Sequence, residues 1–229
     1  MGDPKYVLHR FLEALESTDP GESAFNPWRD RCELRDLAPD APVQRRTRLR
    51  AHLSTTPELI LVGEAPGWQG ARYGGVPFGS EALMYAGDMP RIPALTRFTT
   101  AGKPMTEPIA SMVWGELHRW NIADRVVCFN AYPFHPHTDG KPLSNRTPTN
   151  AEIRAHVELL ELFLALFPGV PIVAIGAASA KTFAALNHPV HATVRHPSYG
   201  GKADFARGLG ELVVRLDIAT PEPTLGVFA

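Results

Sequence analysis

Four short apolar runs punctuate the chain, and each stops at a glycine or a polar residue. They are Glu58–Val62 (ELILV), Arg125–Asn130 (RVVCFN), Pro171–Gly176 (PIVAIG) and Pro189–Arg195 (PVHATVR). Short continuous runs of this kind read as strands buried on both faces. Between them the apolar period becomes helical. Tyr6–Ser17 puts Val7, Leu8, Phe11, Leu12 and Leu15 on one face. Ile109–Trp120 does the same with Ile109, Met112, Val113, Leu117 and Trp120. Further helices are expected over Arg45–Leu53, after Ser80 as N-cap, over Asn150–Phe167, over Ala177–Asn187 and over Ala203–Asp217. The third of these opens on a Thr149/Glu152 capping box and closes at Pro168-Gly169.

Strand and helix alternate, which predicts the α/β class: a three-layer α/β/α sandwich around a central four-stranded parallel sheet. Right-handed crossovers then gather the four strand ends on one edge. Residues 1–229 read as one domain, with a helical segment, residues 1–57, packed on the sheet. Gly87–Pro108 is rich in Pro, Thr and Arg and reads as a long excursion, which is uncommon unless functional. The tail, Pro221–Ala229, reads as poorly packed.

Composition excludes more than it selects. A formal net charge of -1 gives no global signal for nucleic acid. Arg31, Arg35, Arg45, Arg46, Arg48 and Arg50 cluster locally; they read as a solvated helix face, with a phosphate-contacting patch as the alternative. Two cysteines, Cys32 and Cys128, are too few for a four-ligand zinc or iron–sulfur site within the chain. They imply no disulfide framework, so a reducing cytoplasm is expected. The N-terminus lacks the pattern of a signal peptide, and no apolar run approaches a membrane span. A monomer is expected.

The chemistry gathers at the strand ends. The first strand breaks into EAPGWQGARYGGVPFGS, a glycine-rich loop holding Glu64 and Phe78. Open α/β sheets bind ligands at such carboxyl ends. Asn130 ends the second strand and His196 follows the fourth. No G-x-S-x-G elbow, phosphate-binding G-x-x-x-x-G-K-[ST] or metal-ligand spacing is present. An acid, an amide, an imidazole and an aromatic suit a planar polar heterocycle. Phe78 can stack on it, Asn130 can offer one donor and one acceptor to an imide edge, and His196 can donate to a developing oxyanion. Glu64 can orient water or stabilise a positive sugar carbon.

These pieces resemble the uracil-DNA glycosylase superfamily: GEAPG at 63–67, VPFG at 76–79, the strand-end Asn130, and RHPS at 195–198. The GEAPG motif is similar to that of the iron–sulfur subgroup. The resemblance implies catalytic roles for Glu64 and His196. It implies a uracil pocket formed by Gly63, Ala65, Gly67, Phe78 and Asn130. Arg195, Ser198, Tyr199 and Lys202 would contact DNA. The implied activity is monofunctional: uracil is flipped from DNA and its N-glycosidic bond hydrolysed, without metal or cofactor, initiating base-excision repair. A damage-binding module of the same fold and a nucleoside or nucleotide hydrolase are the alternatives.

Three departures stand out. The subgroup uses four cluster cysteines, so no cluster is expected here, and ordinary packing should hold the segment around Cys32. Gly67 occupies the place of a tyrosine that blocks thymine's methyl group in related enzymes; Trp68 and Tyr73 are the candidates to replace it. His135 and His137 lie in the loop after Asn130, where one branch of the superfamily traps the sugar covalently. Here they read instead as a turn with DNA-facing polar residues.

Overall fold

The computed structural model describes residues 4–93 and 96–218. Chain order is α1 (Pro4–Ser17), β1 (Ala24–Phe25), α2 (Ala41–Leu53), β2 (Leu59–Gly63), α3 (Ala71–Gly74), α4 (Glu81–Ala86), α5 (Pro108–Arg119), β3 (Val126–Asn130) and β4 (His135–Pro136). Then come α6 (Asn150–Ala155), α7 (Val157–Leu164), β5 (Ile172–Ile175), α8 (Gly176–Ala185), β6 (Ala192–Val194) and α9 (Lys202–Arg215). The tail expected to be poorly packed lies outside the described residues.

The main sheet has the order β3-β2-β5-β6. All its pairings are parallel, with Gly63 opposite Asn130 and Ile175 opposite Val194. The four strands are the four runs read from the sequence. β2 and β3 are buried at every position, as strands covered on both faces must be. One face packs Leu61, Cys128 and Val173 against α5 and α9 through Trp114, Phe205 and Leu209. The other packs Ile60, Val62 and Phe129 against α1 and α7 through Phe11 and Phe163. The architecture is therefore α/β/α, with a two-stranded antiparallel ribbon, β1 with β4, at the side.

Local chemistry explains most boundaries. Ser80 caps α4 by accepting from Leu83 N–H. The Thr149/Glu152 capping box forms. The helix expected over Asn150–Phe167 breaks at His156, whose backbone turns to φ -121, ψ 17. On α5 the buried face carries Trp114, 1% exposed, where Met112 was expected.

Residues 87–107 contain no helix or named strand among those described. They fold around one carboxylate. Glu81, 1% exposed, accepts from Phe98 N–H at 2.7 Å, Thr99 N–H at 2.8 Å, Thr99 Oγ1 at 2.6 Å and Met105 N–H at 2.9 Å. A side-chain acceptor thus replaces the ladder that this segment lacks.

Candidate active site

At the carboxyl edge of the sheet lies a cleft of about 570 Å³. Its walls come from the loop after β2, the ends of β3 and β5, the start of α5, residues 145–147, and His196, Ser198 and Tyr199. Gly63 is the pivot. A Cβ there would stand 2.6 Å from Phe78 Cζ and 2.7 Å from Asn130 Oδ1. Only a glycine lets the ring and the amide close on the same point. Asn130 is 3% exposed, so its amide faces the cleft rather than bulk water. Phe78 is held in a left-handed backbone (φ 54), a conformation costing about 1–3 kcal/mol that must be imposed by its surroundings. Trp114 Nε1–H donates to Phe78 O at 2.9 Å and anchors that turn to α5.

His196 faces the opposite wall. Ser198 N–H donates to its Nδ1 at 3.2 Å, which makes Nδ1 an acceptor and leaves the hydrogen of the neutral ring on Nε2. Ser198 Oγ lies 2.7 Å from the same Nδ1. Burial, and then the neighbouring Arg195 charge, push the imidazole pKa below 6.5, so the ring is neutral at pH 7. Glu64 sits half-buried on the wall beside Ala65, and desolvation raises its pKa. One wall thus offers a neutral donor and another a carboxylate.

The structure brings Gly63, Glu64, Ala65, Gly67, Phe78, Asn130, His196, Ser198 and Tyr199 around this one cleft. Tyr199 stands at the rim, 97% exposed, with φ 50. Arg195 and Lys202 are exposed and lie outside the cleft wall.

Several sequence expectations are corrected. Tyr73 is 1% exposed, lies near Cys32 Sγ and does not line the cleft. Trp68 packs against the core beside the cleft and does not line it either. His135 and His137 are buried, not DNA-facing. Arg72 Nη1–H donates to His135 Nδ1 at 2.8 Å, and burial lowers the imidazole pKa to about 3.

The arginine cluster divides. Arg31 and Arg50 are exposed, but Arg45 and Arg48 are buried. Neither of those two forms a solvated face or a phosphate patch. Arg45 donates to Asp36 at 2.9 Å, to Asp30 O at 2.6 Å and to Pro27 O. Arg48 donates to Gly74 O at 2.7 Å and Tyr73 O at 3.1 Å, and lies over the Phe98 ring. Asp36 also accepts from Cys32 N–H at 2.8 Å. The Cys32 segment is therefore held by a buried charge network as well as by packing of Cys32 in the core. The donor set does not fit an iron–sulfur cluster: Cys128 is inside β3, and Cys32 packs against Tyr73 and Arg72.

Gly176, Glu107 and Asn145 are among the cleft residues that lay beyond the sequence reading. Gly176 has φ +86, and a Cβ there would meet His196 Cβ at 2.9 Å; its place at the end of PIVAIG was the available signal. Glu107 caps α5 by accepting from Ile109 and Ala110 N–H, and burial raises its pKa. An acid before Pro108 marks such a start. Asn145 has no local signal, since its place depends on contacts across the fold.

Fold and cleft together define an α/β protein with a ligand-sized cleft at the carboxyl edge of a parallel sheet. The family model of the uracil DNA glycosylase superfamily matches residues 51–213, and the chain belongs to that superfamily. Its members are DNA glycosylases, hydrolases that act on DNA. Among solved structures, wild-type SMUG2 of Pedobacter heparinus superposes with a TM-score of 0.66. That alignment covers 92% of this chain and 98% of the other at 14% identity, a likeness of fold. No curated protein matches the sequence. Among the described residues no helix is long and apolar enough to cross a membrane.

Proposed function

We propose that the protein is a monofunctional uracil-DNA glycosylase of the cytoplasm, working as one domain and as a monomer on uracil-containing DNA. The convergence of Phe78 and Asn130 on Gly63, opposite the Nε2–H of a neutral His196, is the observation that supports this reading most. A base inside a duplex cannot reach such a cleft, so it must be extruded, at a cost of a few kcal/mol. Phe78 then stacks on the ring, and the Asn130 amide meets its imide edge.

Bond breaking leaves the N-glycosidic electron pair on the base, where charge spreads to O2. His196 Nε2–H donates to that oxygen; as a neutral donor it stabilises the charge without having to lose its own proton. The sugar carbon becomes electron-poor. The Glu64 carboxylate faces it, orients water and accepts the proton as the new C–O bond forms. The hydrolysis requires no metal or cofactor, and among the described residues no lysine lines the cleft in a position that would make the enzyme a lyase.

The test is a labelled duplex with one uracil, incubated with the protein and then treated with alkali. Alkali-labile breaks at that site are expected; their absence sinks the reading. Binding without breaks would leave a damage-binding module, and base release from free nucleoside alone would leave a nucleoside hydrolase. The pH profile is also constrained. Glu64 works ionised and its pKa is raised, so kcat/KM should fall on the acid side through a pKa above the ordinary carboxylate range. His196 must stay neutral, and protonating it below its lowered pKa adds to the same loss. Activity that rose with acidity would contradict both roles.

A further inference from the structure

We infer that Asn145 sets the base specificity of the pocket, by closing the gap above Gly67 and turning its amide N–H groups toward the flipped base. The inference rests on the uracil-excising reading. Gly67 presents no side chain, and the atoms nearest to a Cβ built there are Asn145 Oδ1 at 3.9 Å and Nδ2 at 4.0 Å. Both residues line the cleft. Asn145 thus occupies the approach that a bulky residue at 67 would fill.

Its amide is held in one orientation. Trp68 N–H donates to Oδ1 at 2.9 Å, across 77 positions of sequence. A backbone N–H only donates, so the atom it meets must be the oxygen. His135 adds a second restraint. The Arg72 guanidinium also only donates, and its 2.8 Å contact makes His135 Nδ1 the acceptor. The hydrogen is therefore on Nε2, which lies 2.9 Å from Ser144 O and 3.3 Å from Asn145 Oδ1. Oδ1 is engaged from two sides. The NH2 group, with no partner among the described residues, is left to the cleft. Arg72 and His135, both buried, act as positioning residues.

A base with an oxygen on the edge facing Gly67 gains a donor. A 5-methyl group on that edge would push the amide off Trp68 and His135 and leave their donors unpaired, a heavier penalty than shape alone imposes.

The experiment compares release of uracil and of thymine from otherwise identical duplexes opposite guanine. Asn145→Ala should lower the uracil-to-thymine ratio of kcat/KM by about 10-fold or more. Adding Gly67→Tyr to that variant should restore the ratio. An unchanged ratio with uracil release intact overturns the inference alone. Absence of uracil release by the unmutated protein overturns the functional reading and this inference with it. If Asn145→Ala loses uracil release, the double variant decides: recovered uracil release supports the role, and continued inactivity overturns it.

Discussion

Two sets of cationic residues have opposite fates. Arg45, Arg48 and Arg72 lie buried beneath the first-motif loop and bind carbonyls, a carboxylate and ring faces. Arg195 and Lys202 flank the exposed Tyr199 on the loop after β6, and neither takes part in an ion pair with a described residue. Along the chain Arg45 and Arg48 belong to a dense arginine cluster, which reads as a solvated helix face with a phosphate-contacting patch as the alternative. In space the first set is a clamp, and the sparse second set stays exposed, outside the cleft wall, on either side of the rim tyrosine in the chain. Charge density in sequence measures neither exposure nor partner. What decides is whether carbonyls at the right distance need donors, and Gly74 and Tyr73 supply those carbonyls.

The sharpest break of this comparison is Arg45→Leu. It strands the Asp36 carboxylate, 1% exposed, without its partner, and should destabilise the fold by about 3–5 kcal/mol. Denaturant titration measures this; a loss under about 1 kcal/mol would make the pair an ordinary surface bridge. His196→Ala comes next, with turnover lowered about 10²–10³-fold and the melting temperature little changed. Single-turnover kinetics check it, and equal losses in binding and turnover would remove His196 from the chemical step. Tyr199→Ala, at a 97% exposed position, should weaken duplex binding by about 10-fold without altering stability. Unchanged affinity would make the rim tyrosine a bystander. The smallest effect belongs to Arg195→Ala and Lys202→Ala. Each should flatten the slope of log K against log salt by about 0.9 if it meets one phosphate. Arg50→Ala, at an exposed position on the helix that carries Arg45 and Arg48, should leave that slope unchanged, and an equal effect there would erase the distinction between that helix and the loop after β6.

The sheet and most of the site were legible because their signals are local. An apolar run ending in Gly63, or in Asn130, marks both the strand and the end that matters. The glycine-rich loop placed Phe78 and Glu64, and RHPS placed His196. Residues that act through distant partners were not legible. Arg45 and Arg48 sit on a helix whose apolar pattern is weak, so nothing nearby betrays that their side chains point inward. Tyr73 looked available for the cleft because its loop is; its hydroxyl turns instead toward Cys32, 41 positions earlier. His135 followed the strand-end Asn130 closely enough to suggest substrate contact, yet its ribbon pairs back to Phe25 and buries the ring. The break of the long helix at His156 has the same character, since its capping box and its stop at Pro168 were both visible and its interruption was not.

The superfamily match begins at residue 51, and Asp36, Arg45 and Arg48 precede it. Every side chain assigned to base, sugar or phosphate lies after that boundary. The donors that brace Gly74 and Tyr73 lie before it. A chain begun at residue 51 would carry the full chemical inventory on an unbraced loop. The edge of the family match is therefore not the edge of the working part: the segment that carries Asp36, Arg45 and Arg48 serves as its chassis, and a transplant of the pocket into another framework would have to bring it along.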